Sequence, residues 1–160
     1  MIYRTGIGRS GRRFLTNDSS KPCMIGGILF EDVPGLDHES DGDVVFHAIC
    51  NAITSLTGVP ILGGIVRELL RKDGYTDSAV YVEHALKTFK DQKVTHIAIS
   101  LEGKRPHFQD QIDAMRRNIA SILKITPSQV GITATSGDGL SDYGCGDGVH
   151  CLCIITTTQM

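Results

Sequence analysis

The chain of 160 residues carries 16 basic and 18 acidic side chains for a formal net charge of −2, with 41% hydrophobic and 21% charged residues. This balance excludes a strongly charged disordered tail and gives no global pull toward nucleic acid. The apolar runs fall short of the roughly 18 residues that a membrane span requires. The length fits one domain, 1–160, and the opening residues lack a secretory pattern, so the expected location is cytoplasmic. The cysteines, Cys23, Cys50, Cys145, Cys151 and Cys153, form no C-x-x-C pair and are expected to be free, mostly buried thiols.

"GIGRSGRRF", residues 6–14, follows a short strand-like start and by itself reads as a small basic phosphate loop. A nucleic-acid arm is the weaker alternative, because no aromatic platform or basic stripe accompanies Arg9, Arg12 and Arg13. "PCMIGGILFEDVPG" holds two short apolar runs hinged at Gly26 and Gly27, which predicts a hairpin. "SDGDVVFHAICNAITSLTG" predicts a helix: Ser40 precedes Asp43 in a capping-box-like spacing, acidic residues load the first turn, and Gly58 closes it. "ILGGIVRELLRKDG" is a second helical piece, weakened at Gly63 and Gly64 and ended by Gly74. "TDSAVYVEHALKTFKDQ" is a third, with a Thr or Ser cap. "KVTHIAISLEG" reads as a strand, "FQDQIDAMRRNIASILKI" as a helix, and "QVGITATS" and "VHCLCIITTT" as strands around the glycine-rich "GDGLSDYGCGDG". The expected fold class is α+β, an α/β sandwich with helices on one face of a mostly single sheet, plus a short hairpin.

Asp43, His47 and Asn51 recur every four residues and share one helix face. Two readings stay open: a helix with one solvated edge, or a metal or phosphate site in which a carboxylate orients an imidazole ligand. Thr135, Ser136 and Asp138, among glycines that permit close backbone approach, suit phosphate oxygens or form a plain connection. Lys104, Arg105 and His107 follow a strand end as a nucleotide-contact loop or a solvated turn.

"SDGDVVFHAICNA", "EGKRP" with "AMRRNIASIL", and "ITATSGDGL" with "GDGV" together resemble the 2-C-methyl-D-erythritol 2,4-cyclodiphosphate synthase family, in particular its chlamydial type. The resemblance covers nearly the whole chain in order. It implies a homotrimer with sites between subunits, where a cytidine-diphosphate-linked methylerythritol phosphate cyclises and expels CMP in non-mevalonate isoprenoid synthesis. It implies zinc, held by an Asp-x-His pair and a helix histidine, and magnesium bridging the substrate phosphates. By position, His47 matches the zinc histidine, with Asp43 behind it, and Ser40 matches a phosphate-contacting serine. Gly103, Lys104, Arg105, Pro106, His107, Phe108 and Gln109 match the loop lining a neighbour's cytidine pocket. Thr135, Ser136 and Asp138 match the stretch near the nucleotide phosphates, with Ser136 standing where a threonine stabilises the transition state.

The departures lie in the same segments. Ser10 and Arg12 stand at two of the three zinc-ligand positions, Glu39 replaces a histidine although His38 lies one residue earlier, and Asn51 and Gly64 replace aspartates. A guanidinium has no lone pair for a metal, so zinc binding is expected to be weakened or lost. Three readings follow: a synthase in which Arg12 is a fixed cation at the metal position or a weaker metal site recruits His38 or Glu39, an impaired relative retaining a cytidine-nucleotide or isoprenoid-diphosphate pocket, or a trimeric scaffold. Under the first, Ser136 and Arg12 are the catalytic candidates, and Ser10, Glu39, Ser40 and Asn51 bind substrate with the two loops. No nucleic-acid or membrane partner is expected.

Overall fold

Residues Ile2–Arg13 form one uninterrupted strand, β1, hydrogen-bonded along its length to the strand Gly148–Gln159. The basic stretch is therefore not a phosphate loop. Its glycines serve packing, because Gly6 and Gly8 face inward and a Cβ on either would stand 2.3 Å from the backbone oxygen of Ala52 or Ala48. Side chains there would lift the helix off the strand.

The computed structural model describes residues 1–159. After β1 come β2 (Cys23–Ile25), β3 (Ile28–Phe30), α1 (Val44–Thr57), α2 (Ile65–Asp73), α3 (Ser78–Leu86), β4 (Gln92–Glu102), α4 (Ile112–Leu123), β5 (Val130–Thr135) and β6 (Gly148–Gln159). The main sheet has the order β1-β6-β4-β5, antiparallel except for the parallel β4–β5 pair that α4 connects. β2 and β3 form the expected hairpin around Gly26 and Gly27, both at positive φ. The fold is α+β.

Alternation along the strands separates two faces. Gly6, Gly8 and Ser10 of β1, Ile97, Ile99 and Leu101 of β4, and Val149, Cys151, Cys153 and Ile155 of β6 are buried against the helical layer, chiefly the apolar length of α1. Ile7, Leu152 and Ile154 point the other way and stay exposed. All cysteines are free; Cys145 is exposed and the other members are buried.

The start of α1 differs from expectation. Asp43, not Ser40, is the N-cap, accepting from the N–H groups of Val45 and Phe46, and no acidic residue lies in the first turn. The same carboxylate accepts from Gly26 N at 2.9 Å and Gly27 N at 2.8 Å, so one side chain joins the hairpin turn to the helix. Gly58 and Gly74 end α1 and α2 in the left-handed conformation, as their positions predict. α3 is capped by Asp77 and stops at Leu86, so "KTFKDQ" is not helical.

Substitution of Gly8 by alanine should cost about 2 kcal/mol or more, because the added carbon meets backbone rather than a movable side chain. Gly64→Ala, where an added carbon meets open space and φ is −102°, should stay within about 0.5 kcal/mol. Urea unfolding of both variants checks the contrast.

Candidate functional site

The sheet register brings two groups of expected residues to one end of the sheet. Arg12 pairs with Val149 near the end of β1, Glu102 at the end of β4 pairs with His150, and Thr135 at the end of β5 pairs with Glu102.

The first group surrounds the N-terminal half of α1. Asp43 and His47, one turn apart, are fully or almost fully buried, which removes the solvated-edge reading for this part of the face. Burial and the neighbouring Asp41 push the Asp43 carboxyl up to about 7 against the pull of its backbone donors. Burial, then the charges of His38 and Arg12, press His47 down to about 3, so its imidazole is neutral. His38 is lowered by burial and by Arg12 and Lys21, and its ring meets that of His47 edge-on at 4.9 Å.

A continuous set of hydrogen bonds holds these rings. Ser40 N donates to His38 Nδ1 at 3.0 Å, Ser40 Oγ lies 2.7 Å from the same nitrogen, and Gly42 N donates to Ser40 Oγ at 3.1 Å. His47 Nε2 lies 3.0 Å from Ser78 Oγ and 3.4 Å from Ser40 Oγ. Ser78 Oγ donates to Asp41, which also accepts from Ser78 N. Lys21 steadies the loop, its Nζ donating to the carbonyls of Leu36, His38 and Ser40 at 2.7–2.8 Å. His47 Nδ1 and Arg12 Nε are both buried without a partner. Such atoms in a folded protein call for a ligand or water.

The residues do not fit a zinc ion. Ser10 is a buried hydroxyl and Arg12 a permanent cation, while His38 Nδ1 is already taken by Ser40. Among the described residues no three His, Cys, Asp or Glu side chains stand together as a metal-binding group. Asn51, expected to touch substrate, donates to the carbonyl of Arg9 at 3.1 Å and so ties α1 to the edge strand. Glu39 is exposed and lines an open cavity with Arg67 and Arg71 of α2, apart from the buried hydrogen bonds.

The second group lines a cavity of about 190 Å³ formed by Gly103, Lys104, Pro106, His107, Phe108, Gln109, Thr135 and Ser136. Its members play unequal parts. Phe108 is buried and meets Phe30 edge-on at 5.9 Å, while Arg105 lies over Phe14 at 4.6 Å and donates to Gly146 O. Those two anchor the loop. Thr135 Oγ1 accepts from Gly137 N, and Ser136 and Asp138 bond to each other in an exposed turn. Arg12 also lines a separate cavity of about 430 Å³ with Arg13, Asp142, Tyr143 and Asp147. Tyr143 occupies the space that a side chain at Gly11 would fill.

Sequence reasoning missed Ser78, Asp41 and Lys21. Asp41 lay within the quoted motif, but nothing in the spacing joined it to Ser78 across 37 positions.

His47 gives the site a pH signature. Unfolded, it binds a proton near its usual 6.5, while the folded residue resists down to about 3, so lowering pH through this window favours the unfolded chain. The stability advantage of the native chain over His47→Gln should therefore shrink as pH falls from about 6.5 toward 3, as read by denaturant titrations of both proteins.

Known proteins resemble this chain in sequence and in fold. The 2-C-methyl-D-erythritol 2,4-cyclodiphosphate synthase of Chlamydia caviae is 54% identical over 159 residues, 99% of this chain and 90% of its own length. That of Chlamydia abortus is 55% identical with the same coverage. Among solved structures, bifunctional IspDF from Campylobacter jejuni superposes with a TM-score of 0.88 at 24% identity, covering 99% of this chain and 43% of that one. IspF of Plasmodium falciparum, in a CDP complex, gives 0.81 at 21% identity and covers 98% and 96%. These two support the fold alone. Residues 3–158 match the YgbB family, and with more than half the positions shared with its chlamydial relatives the chain belongs to that family.

Proposed function

We infer that the chain is a 2-C-methyl-D-erythritol 2,4-cyclodiphosphate synthase of isoprenoid biosynthesis. Identity of 54% to such an enzyme over 99% of the chain carries this reading. The substrate is a methylerythritol 2-phosphate linked to cytidine diphosphate. Its 2-phosphate oxygen attacks the β-phosphorus, the new P–O bond closes the cyclic diphosphate, and CMP leaves with the electrons of the broken P–O bond. This makes the enzyme a phosphorus–oxygen lyase.

Phosphoryl transfer asks a protein mainly for positioning and charge neutralisation. In our reading the loop 103–109 receives the cytidine and the hydroxyls of Thr135 and Ser136 meet the phosphates, Ser136 where charge develops. Arg12 supplies the fixed positive charge, and its buried, unpartnered Nε supports that role. Ser10, Ser40 and the neutral His47 complete the phosphate end, with Asp43 holding the helix that carries His47.

Self-association belongs to the same reading. Exposed Ile7, Leu152 and Ile154 lie on the sheet face that no helix covers, beside a shallow apolar hollow lined by Ala98, Ile132, Leu152 and Ile154. Contiguous apolar surface of this kind supports an interface. We assign it to a homotrimer. Sedimentation should give a trimer for the native chain and a monomer for Ile154→Asp; a native monomer removes the proposal.

Incubation with the cytidine-diphosphate substrate tests the activity itself. CMP release should persist with a zinc-selective chelator and fall at least about a hundredfold in Arg12→Ala. Bound CDP without release would instead support a relative that keeps the nucleotide pocket and has lost turnover.

A further inference from the structure

Helix α2 presents two like charges side by side. Arg67 and Arg71 lie one turn apart, so their guanidiniums share a helix face. Both are exposed, and with Leu70 and Glu39 they line an open cavity of about 490 Å³. The ion pairs among the described residues are Arg13 with Asp142 and Asp147, and Arg116 with Asp113. Arg67 and Arg71 stand outside these pairs, although Glu68 and Asp73 belong to the same helix and Glu39 lines the same cavity. Like charges at this spacing destabilise a helix. Little in α2 offsets that: Val66 alone is buried, and no side chain caps the start at Gly64. An anion held between the two guanidiniums removes the repulsion.

The other two lining residues say which anion fits. Guanidiniums are forked donors that match phosphate oxygens two at a time. An ionised carboxylate only accepts, so beside an anion Glu39 needs a ligand that brings hydroxyl donors. Leu70 offers apolar contact to a carbon skeleton. Inorganic phosphate meets the arginines but leaves Glu39 facing negative oxygen. A phosphate monoester with hydroxyls on neighbouring carbons satisfies the guanidiniums, the carboxylate and the leucine together.

We propose that Arg67 and Arg71, with Glu39 and Leu70, bind a phosphorylated polyol, its phosphate between the guanidiniums and its hydroxyls on the carboxylate. Such a group has two sources: the methylerythritol phosphate end of the substrate in the synthase reading, or a separate small phosphorylated polyol. Glu39 immediately precedes Ser40, so the cavity borders a loop that the synthase reading uses. The site itself does not depend on that reading.

Nitrogen-15 NMR of the arginine Nε–H groups in the full-length protein, titrated in turn with glycerol 2-phosphate and inorganic phosphate, tests it. The Arg67 and Arg71 resonances should move and saturate, with glycerol 2-phosphate bound about tenfold tighter than inorganic phosphate. Arg67→Gln and Arg71→Gln should each weaken both anions by about tenfold, and Glu39→Gln should erase the preference between them. All three residues are exposed, so the changes leave the fold intact. Resonances of Arg67 and Arg71 that do not move, equal affinity of the native chain for the two anions, or a preference unchanged in Glu39→Gln overturns the proposal. CMP release by the same variants separates the sources. A KM about tenfold higher in Arg71→Gln with kcat nearly unchanged assigns the site to the substrate, and unchanged kinetics assign it to a separate ligand. A native chain that binds glycerol 2-phosphate as expected yet releases no CMP removes the synthase reading and leaves the site.

Discussion

The seating of α1 directly on β1 is the constraint on which the rest depends. Gly6 and Gly8 let the backbone of the helix approach that of the strand until a single added carbon would collide with Ala48 and Ala52. Once the helix is that close, its N-terminal half lies beside the inward positions that follow along β1, Ser10 and then Arg12. His47 has no freedom to stand anywhere else. Asp43 completes the arrangement from the other side by accepting from two N–H groups of α1 and two of the hairpin turn. The buried carboxylate costs solvation, which its backbone donors offset only in part, and gives the helix a fixed starting point.

From that seating follows an unusual electrostatic arrangement. A neutral imidazole stands buried near the start of α1, with the charge of Arg12 near enough to press its pKa down. Arginine does not exchange with solvent or depend on metal supply, and it never loses its charge in the accessible pH range. Ser78 links that imidazole to the carboxylate of Asp41, and Ser40 Oγ lies 3.4 Å from the same ring.

Residue chemistry alone placed several features correctly and misplaced others, for reasons that can be traced. The glycines at 58 and 74 end helices because left-handed backbone is cheap only for glycine. The apolar period of 44–57 was legible because one face is almost wholly buried. The basic stretch 6–14 misled, since glycines that admit a helix and glycines that admit a phosphate are the same letters. Arg105 and Phe108 also pack within the fold, one over Phe14 and the other against Phe30, and no spacing in the sequence announces those contacts. Asn51 donates to a strand carbonyl, a tie between helix and strand that its four-residue spacing from His47 does not announce.

The sequence by itself determined the α+β class, the element order, the hairpin, the helix that carries His47, and the presence of a hydroxyl and a guanidinium at positions 10 and 12, because periodicity, backbone preference and side-chain chemistry are local properties. Only the tertiary structure decided that Asp43 is the cap, that Ser78 and Asp41 meet His47, and that a nitrogen of His47 and one of Arg12 are left buried and unpaired. Those facts depend on which distant backbones touch, and nothing short of packed strands and helices specifies that.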